Sequence, residues 1–212
     1  MKLLVATLAV LLGLAVAADL FVKDLAEDRA AEQIARTMSL DEPPEVDLGG
    51  FPFILKAVSG NFGEIRVVSE DLHVEGVALD RVEVVMRDVE VSLSKILADR
   101  ADSVRIGGGE GTAVMSEKAL ARALRRQGVD VSVTLGGDGT VLIEDPRLPA
   151  PAEGTVGLDG RRLVISATDA PAEYAIDLPR LIRGLTYRSL TIEESSLTLD
   201  FSLISGIFRA PR

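Results

Sequence analysis

From Glu64 onward, apolar and polar residues alternate along this chain with a period of two. The run from Arg81 to Arg87 is the clearest case, because apolar residues occupy every second position and charged residues flank them. Successive side chains of a strand point to opposite faces, so the run predicts a strand with one dry and one wet face. We expect Val82, Val84 and Met86 on the dry face. We expect Arg81, Glu83 and Arg87 on the wet face.

Shorter alternating runs continue toward the C-terminus, with glycine-rich turns between them. They fall at 104–106, 129–135, 141–143, 163–165, 190–192 and 197–199. Strands at this spacing predict an antiparallel meander, and Gly107–Gly109 predicts a hairpin turn. One amphipathic helix interrupts the strands, with Ser116 as its N-cap and Gly128 at its end. Strands of the same character lie on both sides of the proline-rich loop 145–154, which favours one domain.

The first residues of the chain predict export. Lys2 is followed by the uncharged run Leu3–Ala18, and Ala15–Ala17 has the small-x-small form of a signal peptidase site. After Asp19 the chain continues with Leu20–Val22, so only one charge interrupts about twenty apolar-leaning positions. This is near the length that spans a bilayer, so the segment also fits an anchor that is never cut. We expect a signal peptide or membrane anchor over 1–18 and a single domain over 19–212. The protein would then lie in the cell envelope or periplasmic space, secreted or anchored by this segment.

The stretch 19–38 predicts a helix that Pro43 and Pro44 bring to an end, because proline cannot donate a backbone hydrogen bond. Apolar residues recur every fourth position along it and form a narrow stripe. The stripe consists of Val22, Ala26, Ala30, Ile34 and Met38. Such a helix would stand between the membrane and the body of the protein, or pack on the sheet if the leader is removed.

Three of the six phenylalanines of the chain fall between positions 51 and 62. Pro52 there suits the first position of a short helix, and Gly60 suits its C-cap. At helical spacing, one face of this helix would carry Phe53, Ile54, Ala57 and Val58. A chain with so few aromatic residues that clusters them here is expected to use them to line or plug an apolar space.

Composition excludes several classes of function. The net charge of −10 argues against nucleic acid, because a phosphate backbone is bound by clustered Lys and Arg. The chain has no cysteine, so it has neither disulfides nor thiolate metal sites. Its single histidine, His73, is predicted to face water, and the sequence contains neither G-x-S-x-G nor H-E-x-x-H. We therefore expect a protein that is not an enzyme and that uses no metal and no cofactor.

Three segments carry a resemblance to a known family. They are the N-terminal apolar segment, the run from Gly50 to Val67, and the closing strands over Leu185–Leu199. Together they resemble the actinobacterial family of envelope phospholipid-binding proteins typified by the lipomannan elongation factor of mycobacteria. The similarity extends from about Asp19 to Phe208 and consists of apolar alternation and glycines. The sequence departs from the family at Glu193–Ser196, where a turn containing glycine is expected.

The resemblance implies a fold and a function. The fold class is α+β, in which a strongly curved antiparallel sheet wraps a long helix in the tubular lipid-binding (BPI/SMP-like) architecture. The implied function is phospholipid binding, and possible carriage, at the outer face of the cytoplasmic membrane in support of envelope glycolipid assembly. The alternative is a non-catalytic structural or interaction module of the envelope with a filled core. A lipid-active hydrolase is a third hypothesis.

If acyl chains occupy the dry interior, the candidate lipid-binding residues form two groups. The first would form the mouth of the site and contains Phe51, Phe53, Ile54, Lys56, Val58 and Phe62. The second would line the cavity and contains Val82, Val84 and Met86. In the first group, Lys56 would meet a headgroup phosphate as a point charge. The competing interpretation is that the apolar residues only plug the end of an ordinary core.

Overall fold

The computed structural model describes residues 2–91, 103–137, 139–182 and 184–209, with side chains described between positions 13 and 208 of those ranges. The chain divides into two compact units that are interleaved in sequence. Unit 1 contains 1–67, 85–108 and 205–212, and unit 2 contains 68–84 and 109–204. Two of the dividing points, after Val67 and after Val84, fall inside long strands, so both units contain parts of the same strands. The single domain over 19–212 stays a prediction.

Unit 1 begins with helix α1, which runs from Lys2 to Met38. The helix ends where Ser39 adopts a left-handed conformation with φ of 55°, a conformation that breaks the helical hydrogen-bond pattern. Pro43 and Pro44 lie beyond this point and are not what ends the helix. The side chains of residues 2–12 lie outside the described part of the chain, so the leader stays a prediction. Within the described part, none of the helices is both long and apolar enough to cross a bilayer.

Small residues form the inner face of α1. Ala26, Ala31 and Ala35 are buried, and α1 contacts strand β1 (Glu45–Leu48), whose Leu48 is also buried. The predicted stripe is therefore only partly right. Met38 at its end is exposed, because the burial pattern follows the true period of 3.6 residues, and a stripe of every fourth residue drifts around the helix.

Helix α2 spans Phe53–Ser59 and contacts α1. Pro52 takes the N-cap position with φ of −69° and ψ of 134°, so the helix begins one residue later than predicted. Gly60 ends it with φ of 70°, and its N–H donates to the carbonyl of Lys56. The predicted glycine C-cap is confirmed, since this left-handed conformation carries little steric cost without a Cβ.

Two long strands, β2 (Asn61–Val74) and β3 (Val77–Glu90), follow α2. A two-residue turn joins them, in which Glu75 and Gly76 have φ of 49° and 84°. Positive φ at both central residues is typical of the type I′ turn that matches the twist of paired strands.

The alternation along β3 changes phase near its end. Val82 and Val84 are buried, and further along the buried residue is Val89. The change falls at Asp88, whose φ of 50° places it in the left-handed region. An irregular residue of this kind changes the face of the sheet to which the following side chains point. Two alternating runs that look like separate strands in the sequence are therefore parts of one strand.

Strands β4 (Ser103–Ile106) and β5 (Gly108–Ser116) both pair with β3. The residue between them, Gly107, donates its N–H to the carbonyls of Arg87 and Asp88 at 2.9 and 3.2 Å. β4 and β5 therefore follow one another along β3, and the chain does not reverse its direction between them. The predicted hairpin turn at Gly107–Gly109 is wrong, because these glycines provide a break within an extended segment.

The C-terminal strands belong to the same sheet as β1 to β5, which is the larger of the two sheets described. They are β11 (Leu185–Glu193), β12 (Ser196–Leu203) and β13 (Gly206–Arg209). In unit 2, β12 lies between β5 and β11, and in unit 1, β13 pairs with β4. All these pairings are antiparallel. The turn between β11 and β12 contains no glycine, and Ser195 takes the positive φ of 69°.

Unit 2 also contains a second sheet of five strands. These are β6 (Ser132–Leu135), β7 (Val141–Glu144), β8 (Ala152–Asp159), β9 (Arg162–Ala167) and β10 (Glu173–Asp177). Each pairs antiparallel with the next in sequence, which confirms a meander here. Helix α3 (Glu117–Arg126) contacts β6 and β10 and buries Leu120 and Leu124. Its predicted N-cap is confirmed, because the Oγ of Ser116 accepts the N–H of Ala119 at 3.4 Å. The chain is thus an α+β protein with antiparallel strands.

Candidate functional site

A buried carboxyl group joins helices α1 and α2 in unit 1. Asp19, in α1, is only 4% exposed. Its Oδ2 accepts the N–H of Phe53 at 2.8 Å, and its Oδ1 accepts the N–H of Ile54 at 2.7 Å. The first N–H groups of a helix have no partner within the helix. Pro52, at the N-cap, offers no side-chain acceptor, so Asp19 caps α2 from a distant part of the chain.

Three charged side chains make a second link between α1 and the rest of unit 1. The Nζ of Lys23 lies 2.8 Å from the Oδ1 of Asp47 and 3.3 Å from the Oε1 of Glu27. The same Glu27 oxygen accepts the N–H of Leu48 at 2.7 Å. The hydrogen bond from Lys23 lowers the pKa of Asp47, and that to Asp47 raises the pKa of Lys23. Burial raises the pKa of Glu27. These contacts fix β1 against α1.

Two of the predicted aromatic residues lie in the core of unit 1. Phe53 and Phe62 are both 0% exposed. Their ring centroids are 5.9 Å apart and the ring planes are tilted by 39°, a common arrangement for aromatic pairs. Phe53 therefore ties the inner face of α2 to the start of β2. Both side chains are buried in unit 1, and their role in lipid binding stays a prediction.

The other predicted residues of this group lie on the outer face of α2 and just before it. Phe51 is 66% exposed, Val58 is 84% exposed and Ile54 is 39% exposed, and Lys56 is exposed as well. The predicted common face of α2 is therefore divided. Phe53 and its i+4 neighbour Ala57 point inward, while Ile54 and Val58 point outward.

The predicted cavity-lining residues lie in β3. Val82 and Val84 are buried and belong to unit 2, whereas Met86 is half-buried and belongs to unit 1. The predicted wet face is right for Arg81 and Arg87, which are exposed, and Glu83 is half-buried. The nine candidate residues are thus shared between the two units, and the structure places the first six together in unit 1.

Unit 2 contains a polar cluster that the sequence did not reveal. Asp145, which follows β7, accepts hydrogen bonds from the backbone and guanidinium of Arg147 and from the hydroxyl of Tyr174. The guanidinium also lies over the Tyr174 ring, 5.9 Å from its centroid. Arg147 and Tyr174 together hold the pKa of the Asp145 carboxyl well below its usual range. The cluster fastens the proline-rich loop to β10.

A pocket of about 400 Å³ lies beside this loop. Its lining includes three acidic side chains, from Asp130, Glu144 and Asp145, together with three prolines. An acidic lining repels a phosphate group, so this pocket does not suit a phospholipid headgroup. The lining contains none of the nine predicted lipid-binding residues.

Sequence reasoning missed the buried Asp19 of α1 and the exposed side chains of Phe21 in α1 and Leu55 in α2. In the sequence, Asp19 stands out only as the single charge within an apolar run. Its burial depends on α2, which lies 34 residues away, and no local pattern reports such a contact. Leu55 and Phe21 are 67% and 70% exposed. The available signal was an acidic residue that directly follows an uncharged apolar run, together with a short apolar helix that has proline at its N-cap.

An α+β protein that exposes large apolar side chains on a short helix is suited to contact amphipathic molecules. A family model described as LmeA-like phospholipid-binding matches residues 17–202. Because the match covers most of the chain, the protein belongs to this phospholipid-binding family. Comparisons with curated proteins and with solved structures give no match.

Proposed function

We propose that this protein binds phospholipid without chemical turnover at the outer face of the cytoplasmic membrane, and carries it in support of envelope glycolipid assembly. The observation that carries the proposal is the outer face of α2, where Ile54, Leu55 and Val58 are exposed around Lys56. Apolar side chains suit acyl chains, and the ammonium group suits a headgroup phosphate. Membership in a phospholipid-binding family supports the same chemistry.

The tubular architecture is part of this proposal. A curved antiparallel sheet that wraps a long helix would offer an elongated apolar interior for acyl chains. The antiparallel pairings of the larger sheet and the length of α1 support it. Export belongs to the proposal too, since the uncharged run Leu3–Ala18 follows Lys2. The protein should fractionate with the envelope, and recovery mainly from the cytosol would contradict export.

Retention of lipid by the full chain tests the central claim. The protein is incubated with vesicles that contain phosphatidylglycerol and phosphatidylcholine, separated from them, and examined by native mass spectrometry. We expect a mass increase equal to one phospholipid of unaltered structure. A spectrum that shows the unliganded mass alone would overturn the proposal. Hydrolysed lipid would instead indicate that the protein is a hydrolase.

A matched pair of variants tests the headgroup contact. Lys56→Gln removes the only charge of α2, and Lys118→Gln removes an exposed charge of the same type from α3. We expect Lys56→Gln to reduce retention of phosphatidylglycerol relative to phosphatidylcholine, because only the anionic lipid carries net charge. Lys118→Gln should bind as the unaltered protein does. Equal effects of the two changes would remove Lys56 from the site.

An envelope interaction module with a filled core is the second candidate, and one observation favours it. The interior of unit 2 contains large side chains that are less than 2% exposed. They include Leu79, Met115, Ile143, Leu163, Ile165, Ile176 and Phe201. A core of this kind needs no lipid to complete it. Under this alternative, native mass spectrometry would show the unliganded mass at every lipid concentration.

A further inference from the structure

Most of the large apolar side chains that are exposed in the described chain belong to α1 and to the α2 region. Apart from Met38 at the C-terminal end of the helix, those of α1 are Leu14, Val16, Leu20, Phe21 and Leu25, and those near α2 are Phe51, Ile54, Leu55 and Val58. We call these nine residues the α1–α2 surface. Single exposed apolar residues are ordinary, but a concentration of this kind marks an interaction site.

Specific hydrogen bonds join the α1 part and the α2 part of the α1–α2 surface. The two hydrogen bonds from Phe53 and Ile54 to the buried Asp19 fix the first turn of α2 against α1. Burial also changes sharply at this residue. Positions 13–18 are exposed without exception, and Asp19 is the first buried residue among the described side chains of α1. The described part of α1 before Asp19 is therefore an apolar helix that the protein leaves uncovered on all sides.

Two observations identify what covers this surface. The uncharged run Leu3–Ala18 belongs to the same helix, so the surface is continuous with a segment that is apolar all round, and such a helix needs an apolar environment on every side. The only charged residue in α2 is the exposed Lys56. An apolar face that carries a basic residue is typical of helices that lie at a phospholipid surface, where the ammonium group meets the headgroups.

We propose that Phe51 and the outer face of α2 dock into a bilayer surface beside the point where α1 meets it, with Asp19 as the positioning residue. This inference deepens the proposed function, and it rests on that function for the presence of phospholipid. Ile54, Leu55 and Val58 contact the boundary between headgroups and acyl chains, which interfacial helices reach by about 5–10 Å. Docking of this kind brings the protein to its lipid without requiring that a lipid already fills its interior.

The chain contains no tryptophan, so a single introduced tryptophan reports on one position. Leu55→Trp places the probe in α2, and Leu142→Trp places a control in β7 of unit 2, where Leu142 is 39% exposed. The full chain is reconstituted into vesicles of phosphatidylcholine and phosphatidylglycerol in which the phosphatidylcholine is brominated near the headgroup end of its chains. We expect quenching of the Leu55→Trp emission to exceed that of Leu142→Trp by at least about twofold, because quenching requires contact with the lipid.

Equal quenching at the two positions would overturn the docking proposal. Protection of the Leu55→Trp probe from an aqueous quencher without quenching by bromine, together with a dimer mass, would assign the surface to a second copy of the chain and also overturn it. Lipid retention is measured separately by native mass spectrometry. Retained lipid without bromine quenching defeats docking alone, and bromine quenching without retained lipid defeats lipid carriage alone.

A second pair of variants tests Asp19. In the Leu55→Trp background, Asp19→Asn keeps the size of the side chain but leaves one oxygen for the two N–H donors. Asp24→Asn is the control, because Asp24 is an exposed acid of the same helix. We expect bromine quenching to fall in Asp19→Asn and to be unchanged in Asp24→Asn, with circular dichroism showing that both variants are folded. Unchanged quenching in Asp19→Asn would remove Asp19 from the proposal.

Discussion

Asp19 and Phe53 are joined by a buried hydrogen bond of 2.8 Å between positions that are 34 residues apart in sequence. A second bond, from Ile54 to the same carboxyl group, completes the cap of α2. Local caps of this kind come from the residue before the helix. Here proline occupies that position, so the cap is supplied by α1 and the two helices depend on each other.

Asp19→Ala tests that dependence. We expect it to lower the free energy of unfolding by about 1–2 kcal/mol, the range for the loss of a helix cap, because two N–H donors lose their acceptor. Urea denaturation followed by circular dichroism measures the change. Asp24→Ala, on the exposed side of α1, is the control and should stay within about 0.5 kcal/mol. An equal loss of stability in Asp24→Ala would show that the effect comes from removing a negative charge from α1 and not from losing the cap of α2.

Phe53→Ala and Ile54→Gln separate core from surface within α2. Phe53 is fully buried against Phe62, so its truncation should cost about 3–5 kcal/mol. Ile54 is 39% exposed, so the polar change should cost about 1 kcal/mol or less. Thermal unfolding of the two variants gives the comparison. A loss at Ile54 as large as that at Phe53 would mean that both residues belong to the core.

Val84→Asp and Glu83→Ala test the wet and dry faces of β3. Val84 is 6% exposed, and an unpaired charge there lacks compensation. We expect Val84→Asp to unfold the protein or to lower its stability by more than about 4 kcal/mol. Glu83→Ala should change stability by about 0.5 kcal/mol. Denaturant titration measures both, and similar effects would contradict the register of β3.

Gly111→Ala tests a close approach in unit 2. A Cβ added at Gly111 would lie 2.3 Å from the carbonyl oxygen of Glu83 and 2.5 Å from the ring of Phe201. We expect a loss of about 1–3 kcal/mol from overpacking. Gly157→Ala is the control, because a Cβ there meets nothing within 4 Å. The control should be neutral or stabilising by about 0.5–1 kcal/mol, since alanine loses less conformational freedom on folding.

Asp145→Asn tests the pH dependence of the cluster in unit 2. The pKa of Asp145 is lowered in the folded state, chiefly by the guanidinium of Arg147. A carboxyl group whose pKa is lowered by folding stabilises the protein at pH values above its ordinary pKa of about 3.9. This stabilisation is lost as the pH falls from that value toward the pKa of the folded state. We therefore expect the stability difference between the unaltered protein and Asp145→Asn to be largest near neutral pH and to shrink below about pH 4.

Urea denaturation at a series of pH values measures that difference. Asp177→Asn is a suitable control, because Asp177 is exposed and lies 3.9 Å from Arg162. A pair of this kind contributes about 0–1 kcal/mol, so the control should track the unaltered protein across the pH range. A stability difference for Asp145→Asn that stays constant down to about pH 3 would contradict the lowered pKa.

The local patterns of this sequence determined the elements that depend on neighbouring residues. Alternation placed Val82 and Val84 inward, because a strand turns successive side chains to opposite faces. Ser116 capped α3 and Gly60 ended α2 as expected, because a cap involves only the first or last turn of its own helix. The antiparallel meander of unit 2 and the amphipathic helix α3 followed from such signals.

Which apolar residues are covered depends on contacts between distant parts of the chain. Phe53 and Val58 belong to the same short helix, yet one is fully buried and the other is 84% exposed, because the direction of α2 is set by its contacts with Asp19 and Phe62. Gly107 continues an extended segment instead of turning it, because its N–H meets the carbonyls of Arg87 and Asp88. These outcomes depend on hydrogen bonds and contacts between residues far apart in sequence, which the composition and periodicity of a segment do not encode.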